Sequence, residues 1–437
     1  MPAEKSRATR AIVLEGGLAM PSFAEQAASR RKFLSFLAGS PLLAAGAAFA
    51  GEGPMPGSKL PDPLTWAPMR ADDLIKSPKE AINVFDFEPV CRQNVPPAHF
   101  GYMASGIDDE VTLRANREGF LKFQLRPRRL VDVSKVDMST EIFGVKYASP
   151  IVLAPVGGQR SFHDEGEVAS ARAAKTGDHL QILSTATSLG VEDVTNARGQ
   201  PIWYQLYATN KWEVAQAMVK RAEKAGCLAV AVTVDRAGGR NQETLFRLRP
   251  TDTRDCNACH DRSSLQASMR TRAMYQGLDL SGLTNTQSSA MTWDFFKRLR
   301  DTTKMKIVIK GILAWEDAEI AADNGIDAII VSNHGARSED SGRSTIDALP
   351  EIVEAVHGRI PIIVDSGFRR GSDIVKALCI GANAVCIGRP YIWGLGAFGQ
   401  SGVERVLELL RTETYAMMQQ VGAPSIKHLG PAMVRRA

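Results

Sequence analysis

Eight short apolar runs between residues 151 and 387 constrain the fold of this chain more than any other feature. They are rich in valine and isoleucine and lack polar–apolar alternation, which is typical of strands buried on both faces. Amphipathic helical patterns separate most of them. Because strands that alternate with helices form parallel sheets, eight such units predict an α/β fold of the (β/α)8 TIM-barrel type.

The boundaries of these elements follow from the apolar runs and the helical periodicity. The predicted strands are 151–156, 181–184, 202–206, 228–234, 307–310, 328–332, 362–365 and 384–387. The predicted helices are 167–175, 211–225, 314–324, 349–356, 372–380 and 403–421. The interval 236–303 is too long for an ordinary connection, so we expect a lid-like insertion or a partly disordered loop. The domain is predicted at 75–430, with an N-terminal helical extension and a tail at 431–437.

The first 50 residues have the character of an export signal. Arg30 and Arg31 precede a mildly apolar segment that closes with Ala48-Phe49-Ala50, a small-x-small cleavage pattern. This combination resembles a twin-arginine (Tat) signal, although a buried or amphipathic helix is the alternative. We therefore expect a periplasmic protein that starts near Gly51, with a linker at 51–74.

The N-terminal 50 residues contribute +3 of the net charge of +5, so the remainder gives no indication of nucleic-acid binding. We also see no apolar run long enough for a permanent membrane span.

Polar residues follow the predicted strands at the end where TIM barrels carry their active sites. His334 and Arg337 come directly after the sixth strand. An imidazole can take a proton near neutral pH, and a guanidinium can grip a carboxylate with two hydrogen bonds. This pair indicates chemistry on a small acid, whereas the alternative is a capping histidine with a surface arginine. Glycines and arginines after the last two strands, as in Gly388-Arg389, indicate a phosphate site.

Many motifs together resemble the FMN-dependent α-hydroxy acid dehydrogenases and oxidases, the family of glycolate oxidase, lactate oxidase and mandelate dehydrogenase. The resemblance covers about residues 75–430. The segments whose residues match the family's motifs are 102–106, 112–117, 125–128, 154–155, 205–207, 233–235, 310–311, 332–337, 345–350, 365–371 and 387–390. It implies FMN as the cofactor, a small 2-hydroxy acid as the substrate, and a homo-oligomer such as a tetramer. No metal site is indicated.

The resemblance also implies roles for residues that contact the substrate. His334 would be the active-site base, and Asp235 would stabilise its protonated form. Arg337 and Tyr102 would bind the substrate carboxylate. Tyr207 would form a hydrogen bond with the substrate hydroxyl or the keto product.

A second group of residues would hold the cofactor. Lys310 would lie near flavin N1 and the C2 oxygen, where its charge stabilises an anionic reduced flavin. The flavin ring would be bonded by Ser184, Gln205 and Thr233. Its N5 would face the backbone of Val156 and Gly157. The ribityl hydroxyls would be held by Asp365, and the phosphate by Gly367, Arg369, Gly388 and Arg389.

Two departures from the family pattern bear on the substrate. Family members usually carry a second carboxylate-binding arginine shortly after the strand-four aspartate. An ungapped match places Gln242 at that position, while a shift would offer Arg240. The family's Gln-Leu-Asp after the site arginine is here Ser338-Glu339-Asp340.

The sequence thus predicts an exported enzyme that oxidises an L-2-hydroxy acid, such as lactate, to the 2-keto acid. The electron acceptor is left open among oxygen, a quinone and a cytochrome, with Gly157 favouring a dehydrogenase because many family oxidases carry alanine there. Two alternatives remain at this stage. One is oxidation of a bulkier hydroxy or amino group, for example on a modified peptide. The other is an electron-transfer protein that carries haem on Cys256-x-x-Cys259-His260.

We predict that the Cys-x-x-Cys-His motif does not carry covalent haem, because attachment needs an unfolded chain outside the cytoplasm whereas a Tat signal delivers a folded protein. A disulfide or free thiols are expected instead. A haem stain of denatured protein from a host that matures c-type cytochromes should be negative. A stained band that disappears in Cys259→Ser would contradict the prediction.

Overall fold

The computed structural model describes residues 74–253, 261 and 263–437. Its strands, in chain order, are β1 (Phe123–Leu125), β2 (Thr140–Ile142), β3 (Val145–Tyr147), β4 (Ile151–Leu153), β5 (Leu180–Ser184), β6 (Trp203–Leu206), β7 (Ala229–Thr233), β8 (Lys306–Ile312), β9 (Ala328–Val331), β10 (Ile362–Val364), β11 (Ala384–Ile387) and β12 (Val434–Arg436). Strands β4 to β11 close a parallel barrel in the order β10-β11-β4-β5-β6-β7-β8-β9. The predicted (β/α)8 barrel is therefore confirmed.

Helices surround the barrel and extend it at the N-terminal side. In chain order they are α1 (Phe87–Asn94), α2 (Pro97–Ala104), α3 (Val111–Glu118), α4 (Gly166–Thr176), α5 (Val191–Arg198), α6 (Trp212–Lys224), α7 (Glu243–Leu248), α8 (Leu265–Arg270), α9 (Asp294–Thr302), α10 (Trp315–Asp323), α11 (Thr345–Val356), α12 (Gly371–Ile380) and α13 (Arg389–Val421). The α13 segment consists of two helices joined across a kink at Phe398 and Gly399. None of these described helices is long and apolar enough to cross a membrane.

The inward-facing residues of the barrel strands form its apolar core. Alternate positions of the strands contribute Val152, Ile182, Ala231, Val308, Ile330 and Ile363 to one buried cluster. Trp203 of β6 belongs to the same cluster, and its ring stacks on Phe143 at a centroid distance of 5.2 Å. Phe143 lies in the β2–β3 hairpin turn, so this hairpin packs against the barrel interior. This packing gives the strand ends a rigid base.

The predicted insertion at 236–303 is shorter than expected. Its last part forms α9, where Phe295 packs edge-on against Trp212 of α6 at 5.5 Å between ring centroids. This helix therefore belongs to the outer layer of the barrel, and only the part before it is inserted. Met269 and Met274, two methionines close in sequence to the Cys-x-x-Cys-His motif, are buried in the core.

The predicted C-terminal tail is part of the fold. Val434–Arg436 forms β12, which pairs antiparallel with β1 so that Phe123 lies opposite Arg436. The predictions for the Tat segment, the export site and the Cys256-x-x-Cys259-His260 motif fall outside the described residues.

Candidate active site

A layer of polar side chains covers the apolar core at the carboxyl ends of the strands. Each member of this layer follows an inward-facing apolar residue by two positions in the sequence, and all of them are buried: Ser184, Gln205, Thr233, Lys310, Ser332 and Asp365. The Ser184 hydroxyl donates to Gln205 Oε1 at 3.1 Å, and Gln205 Nε2 donates to Thr233 Oγ1 at 2.8 Å. The two-residue period of a strand thus places the predicted ring-binding residues in one hydrogen-bonded row.

Lys310 lies at the centre of this layer between two carboxylates. Its ammonium donates to Ser332 Oγ at 2.7 Å and lies 3.3 Å from Asp365 Oδ2 and 4.0 Å from Asp235 Oδ2. The Ser332 hydroxyl in turn donates to Asp365 Oδ2 at 2.9 Å. Burial alone would lower the pKa of Lys310, but Asp365 and Asp235 outweigh it and raise the pKa above its ordinary value. Lys310 is therefore a permanent buried cation.

His334 connects this charged group to the cavity. Its Nδ1 lies 2.7 Å from Asp235 Oδ1, and its Nε2 lies 3.1 Å from the Tyr207 hydroxyl. An ionised carboxylate only accepts hydrogen bonds, so the proton is assigned to Nδ1 and Nε2 is left as an acceptor. Burial lowers the pKa of His334 to about 4, against the opposing effect of Asp235. The imidazole is thus neutral at pH 7 and can accept a proton.

The turn that presents His334 has an unusual backbone. His334, Gly335 and Ala336 have φ values of 60°, 68° and 63°, a left-handed conformation that side chains other than glycine rarely adopt. Buried hydrogen bonds hold it: Asn333 Oδ1 accepts from Ala336 N at 3.0 Å, and Ser332 Oγ accepts from His334 N at 3.0 Å. Strained backbone of this kind is concentrated at functional sites, where surrounding contacts fix it.

Arg337 and Tyr102 lie together on the cavity wall. The guanidinium carbon of Arg337 is 4.6 Å from the centre of the Tyr102 ring, and Nη1 donates to the backbone oxygens of Tyr102 and Ser105. Its Nη2 is buried and has no hydrogen-bond partner in the described residues. A donor left in this state is ready to receive an anion.

Three further arginines line the same cavity, namely Arg236, Arg240 and Arg272. Gln242, which an ungapped match places at the position of the second arginine, does not line the cavity; its side chain is buried and donates to Ser105 Oγ at 3.2 Å. Arg240 faces the cavity instead. Burial and the charges of Arg236 and Arg337 lower its pKa to about 10.

The other end of the cavity carries a second group of buried cations. Arg369 and Arg389 line it, and Arg117 lies close by in an ion pair with Asp373 at 2.7 Å. Burial, followed by the charges of Arg117 and Arg389, holds the pKa of Arg369 well below its ordinary range. Arg369 Nε has no partner among the described residues. Buried cations need a counter-charge, so this end fits the phosphate of FMN.

The predicted site residues line both ends of the cavity and the floor between them. They are Tyr102, Val156, Gly157, Ser184, Tyr207, Lys310, His334, Arg337, Asp365, Gly367, Arg369, Gly388 and Arg389. Gln205, Thr233 and Asp235 lie one step behind the wall, each hydrogen-bonded to another polar side chain of the site. Sequence reasoning missed Arg236, Arg272 and Tyr275. Arg272 and Tyr275 lie in the insertion and follow no strand end, whereas Arg236 directly follows Asp235 at the end of β7, a position that could have indicated it.

Two of the predicted glycines are required by close packing as well. A Cβ on Gly157 would stand 2.7 Å from Ala186 Cβ. Gly367 has φ +88°, and a Cβ there would stand 2.1 Å from the backbone oxygen of Asn116. Packing therefore explains Gly157 without reference to the electron acceptor.

Comparisons with known proteins agree with this geometry. The family model described as FMN-dependent dehydrogenase matches residues 91–436. An L-lactate oxidase of Lysinibacillus sphaericus (strain C3-41) is 40% identical over 79% of this chain and 90% of its own length. A 2-hydroxyacid oxidase of Dictyostelium discoideum is 38% identical over 81% of this chain and 90% of its own. A structure of an active mutant of (S)-mandelate dehydrogenase superposes with a TM-score of 0.74 at 31% identity, covering 82% of this chain and all of that one.

The family match spans the barrel and all the residues that build the cavity, and the relatives are covered almost from end to end. The chain therefore belongs to the FMN-dependent dehydrogenase family, whose members are enzymes that oxidise (S)-2-hydroxy acids.

Proposed function

We propose that this enzyme oxidises an L-2-hydroxy acid, lactate-like at C1 and C2, to the 2-keto acid, with His334 as the base. The observation that carries the proposal is the His334 imidazole, which is held by Asp235 through Nδ1 while Nε2 faces Tyr207 and the cavity. The 2-hydroxy acid loses its α-C–H and O–H bonds and gains a carbonyl. One proton goes to His334, and FMN, when bound, accepts the two electrons and the other proton.

The substrate carboxylate is assigned to Arg337. Its unpartnered Nη2 supplies a fixed donor, and its stacking on Tyr102 limits its freedom. A carboxylate at this position would place the α-hydroxyl toward Tyr207 and His334, whose Oη and Nε2 atoms are 3.1 Å apart. Once His334 is protonated, the neighbouring Asp235 carboxylate stabilises the imidazolium.

The cofactor residues divide by chemistry. Lys310 supplies a permanent positive charge beside the predicted flavin site, and Ser184 supplies a hydroxyl at the same level of the barrel. At the far end Arg369 and Arg389 would hold the phosphate, together with the backbone at Gly388, where α13 begins.

The compartment, the electron acceptor and the assembly state belong to this proposal as well. The Arg30-Arg31 segment supports Tat export to the periplasm, where a quinone or a cytochrome as acceptor would make the enzyme a dehydrogenase. Gly157 no longer argues against oxygen, since packing against Ala186 accounts for it. A homo-oligomer is proposed from the family resemblance alone.

We predict that the purified protein releases FMN on denaturation and that L-2-hydroxy acids bleach the bound flavin without oxygen, whereas their D-enantiomers do not. The fixed positions of Arg337 and His334 impose this handedness, because inversion at the α-carbon moves the hydroxyl away from Nε2. Mass spectrometry of the released cofactor and anaerobic absorbance spectra measure the two outcomes. Release of FAD, or equal bleaching by both enantiomers, would contradict the proposal.

We predict that His334→Gln and Asp235→Asn each slow flavin reduction by at least ~10²-fold, the lower end for loss of a positioned base. Arg337→Lys should mainly weaken substrate binding, because an ammonium lacks the two-pronged fork. Stopped-flow absorbance against substrate concentration separates the two effects. Wild-type reduction rates in His334→Gln would exclude the base mechanism.

The same histidine sets a pH dependence. With the pKa of His334 lowered to about 4, the neutral form dominates at pH 7, so kcat/KM should stay level as the pH falls toward 5 and drop only as it approaches 4. A fall that begins near pH 6.5, the ordinary histidine range, would mean that the imidazole is not buried as the structure has it.

A further inference from the structure

The substrate end of the cavity holds more positive charge than one carboxylate can neutralise. Arg236, Arg240, Arg272 and Arg337 all line it. In the described part of the chain, no carboxylate oxygen lies within 4 Å of their guanidinium nitrogens. The nearby acids are engaged elsewhere, since Asp235 pairs with His334 and Asp365 with Lys310.

The excess positive charge of these arginines acts on Tyr102, which lies among them. Burial would raise the pKa of Tyr102, yet Arg337, Arg240, Arg236 and Arg272 together lower it. A monocarboxylate brings only one negative charge, even where two arginines bind it as in the family pattern. It would leave about three cations partly buried without a counter-charge, which is costly.

The four arginines also come from different segments. Arg337 follows β9 and stacks on Tyr102, and the Arg236 guanidinium lies 4.7 Å from the centre of the Tyr207 ring. Both are therefore next to the aromatic rings that flank the reacting end. Arg240 and Arg272 belong to the insertion, where Arg272 immediately precedes the short 3-10 turn Ala273–Tyr275. Among the described residues, neither of these two guanidinium groups stacks on Tyr102 or Tyr207, so they are the arginines left for the part of a substrate that extends from the α-carbon.

We propose that the substrate is a 2-hydroxy acid with a second anionic group on its side chain, a carboxylate or a phosphate, held by Arg240 and Arg272. The proposal rests on the oxidation proposed above and names the substrate class of that same site. Arg337 then takes the C1 carboxylate, and Arg236 adds positive charge between the two anionic groups.

Pairs of substrates with the same shape and different charge test this. L-Malate is compared with (S)-2-hydroxy-4-methylpentanoate, whose isobutyl group copies the shape of the carboxymethyl group of malate without its charge. L-2-Hydroxyglutarate and (S)-3-phosphoglycerate distinguish a longer carboxylate from a phosphate. We expect kcat/KM for anaerobic FMN reduction to be at least ~10-fold higher for one of the acids with a second anionic group than for the monoanionic analogue, and this ratio to shrink with salt.

Single-residue variants show which arginines cause the preference for a substrate with a second anionic group. Arg240→Gln and Arg272→Gln should each reduce the ratio of kcat/KM for the preferred acid to that for the monoanionic analogue by about 10-fold, the size expected for a lost charge-assisted hydrogen bond. Arg270→Gln is the matched control, because Arg270 is exposed on α8, two residues from Arg272, and lies outside the cavity wall. It removes the same charge and should leave the ratio unchanged.

A binding measurement separates this proposal from the proposed oxidation. The 2-keto acids 2-oxoglutarate and 4-methyl-2-oxopentanoate are titrated into the FMN-loaded enzyme, and the flavin spectrum reports their affinities without turnover. Tighter binding of 2-oxoglutarate that is lost in Arg272→Gln supports a dianion site even if no hydroxy acid is oxidised. Equal affinities and equal kcat/KM within each pair would overturn the inference while leaving the oxidation intact.

Discussion

A buried chain of alternating charges at the carboxyl end of the barrel is the interaction on which the site depends. Asp235 lies between His334 and Lys310, and Lys310 lies between Asp235 and Asp365. Removing one member would leave a buried charge unpaired, which typically costs about 3–5 kcal/mol of stability. These charged side chains lie on, or directly after, β7, β8, β9 and β10. The barrel strands therefore fix the position of the base.

This arrangement explains how one scaffold separates stability from chemistry. Inside the barrel, successive inward-facing positions are apolar through most of each strand and polar at the end, as with Val308 followed by Lys310. The apolar layer supplies the packing, and the polar layer supplies donors and charges at a fixed height. The left-handed turn at His334–Ala336 then lifts the imidazole out of that layer toward the cavity, and Arg389 secures the turn by donating to Gly335 O at 2.9 Å.

The barrel was predictable from the sequence because strand runs such as 328–332 are uniformly apolar, rich in valine and isoleucine, and mostly separated by helical patterns. The polar residues at the strand ends were predictable for a related reason, since a closed barrel brings them together at one end, whereas Tyr102 and the roles of these residues came from the family resemblance. The helix α5 and the strand β12 were missed because both are short and weakly patterned. Arg272 and Tyr275 illustrate the remaining limit: their approach to the cavity depends on how the insertion folds back, and no periodicity in the sequence records that path.

The most direct test of the account is a crystal structure of the FMN-loaded enzyme with a bound 2-keto acid. We predict that the acid's C1 carboxylate lies on Arg337, with its keto oxygen accepting a hydrogen bond from Tyr207 Oη and facing His334 Nε2. A 2-keto acid bound with its carboxylate on another group, or with its keto oxygen out of reach of His334, would contradict it.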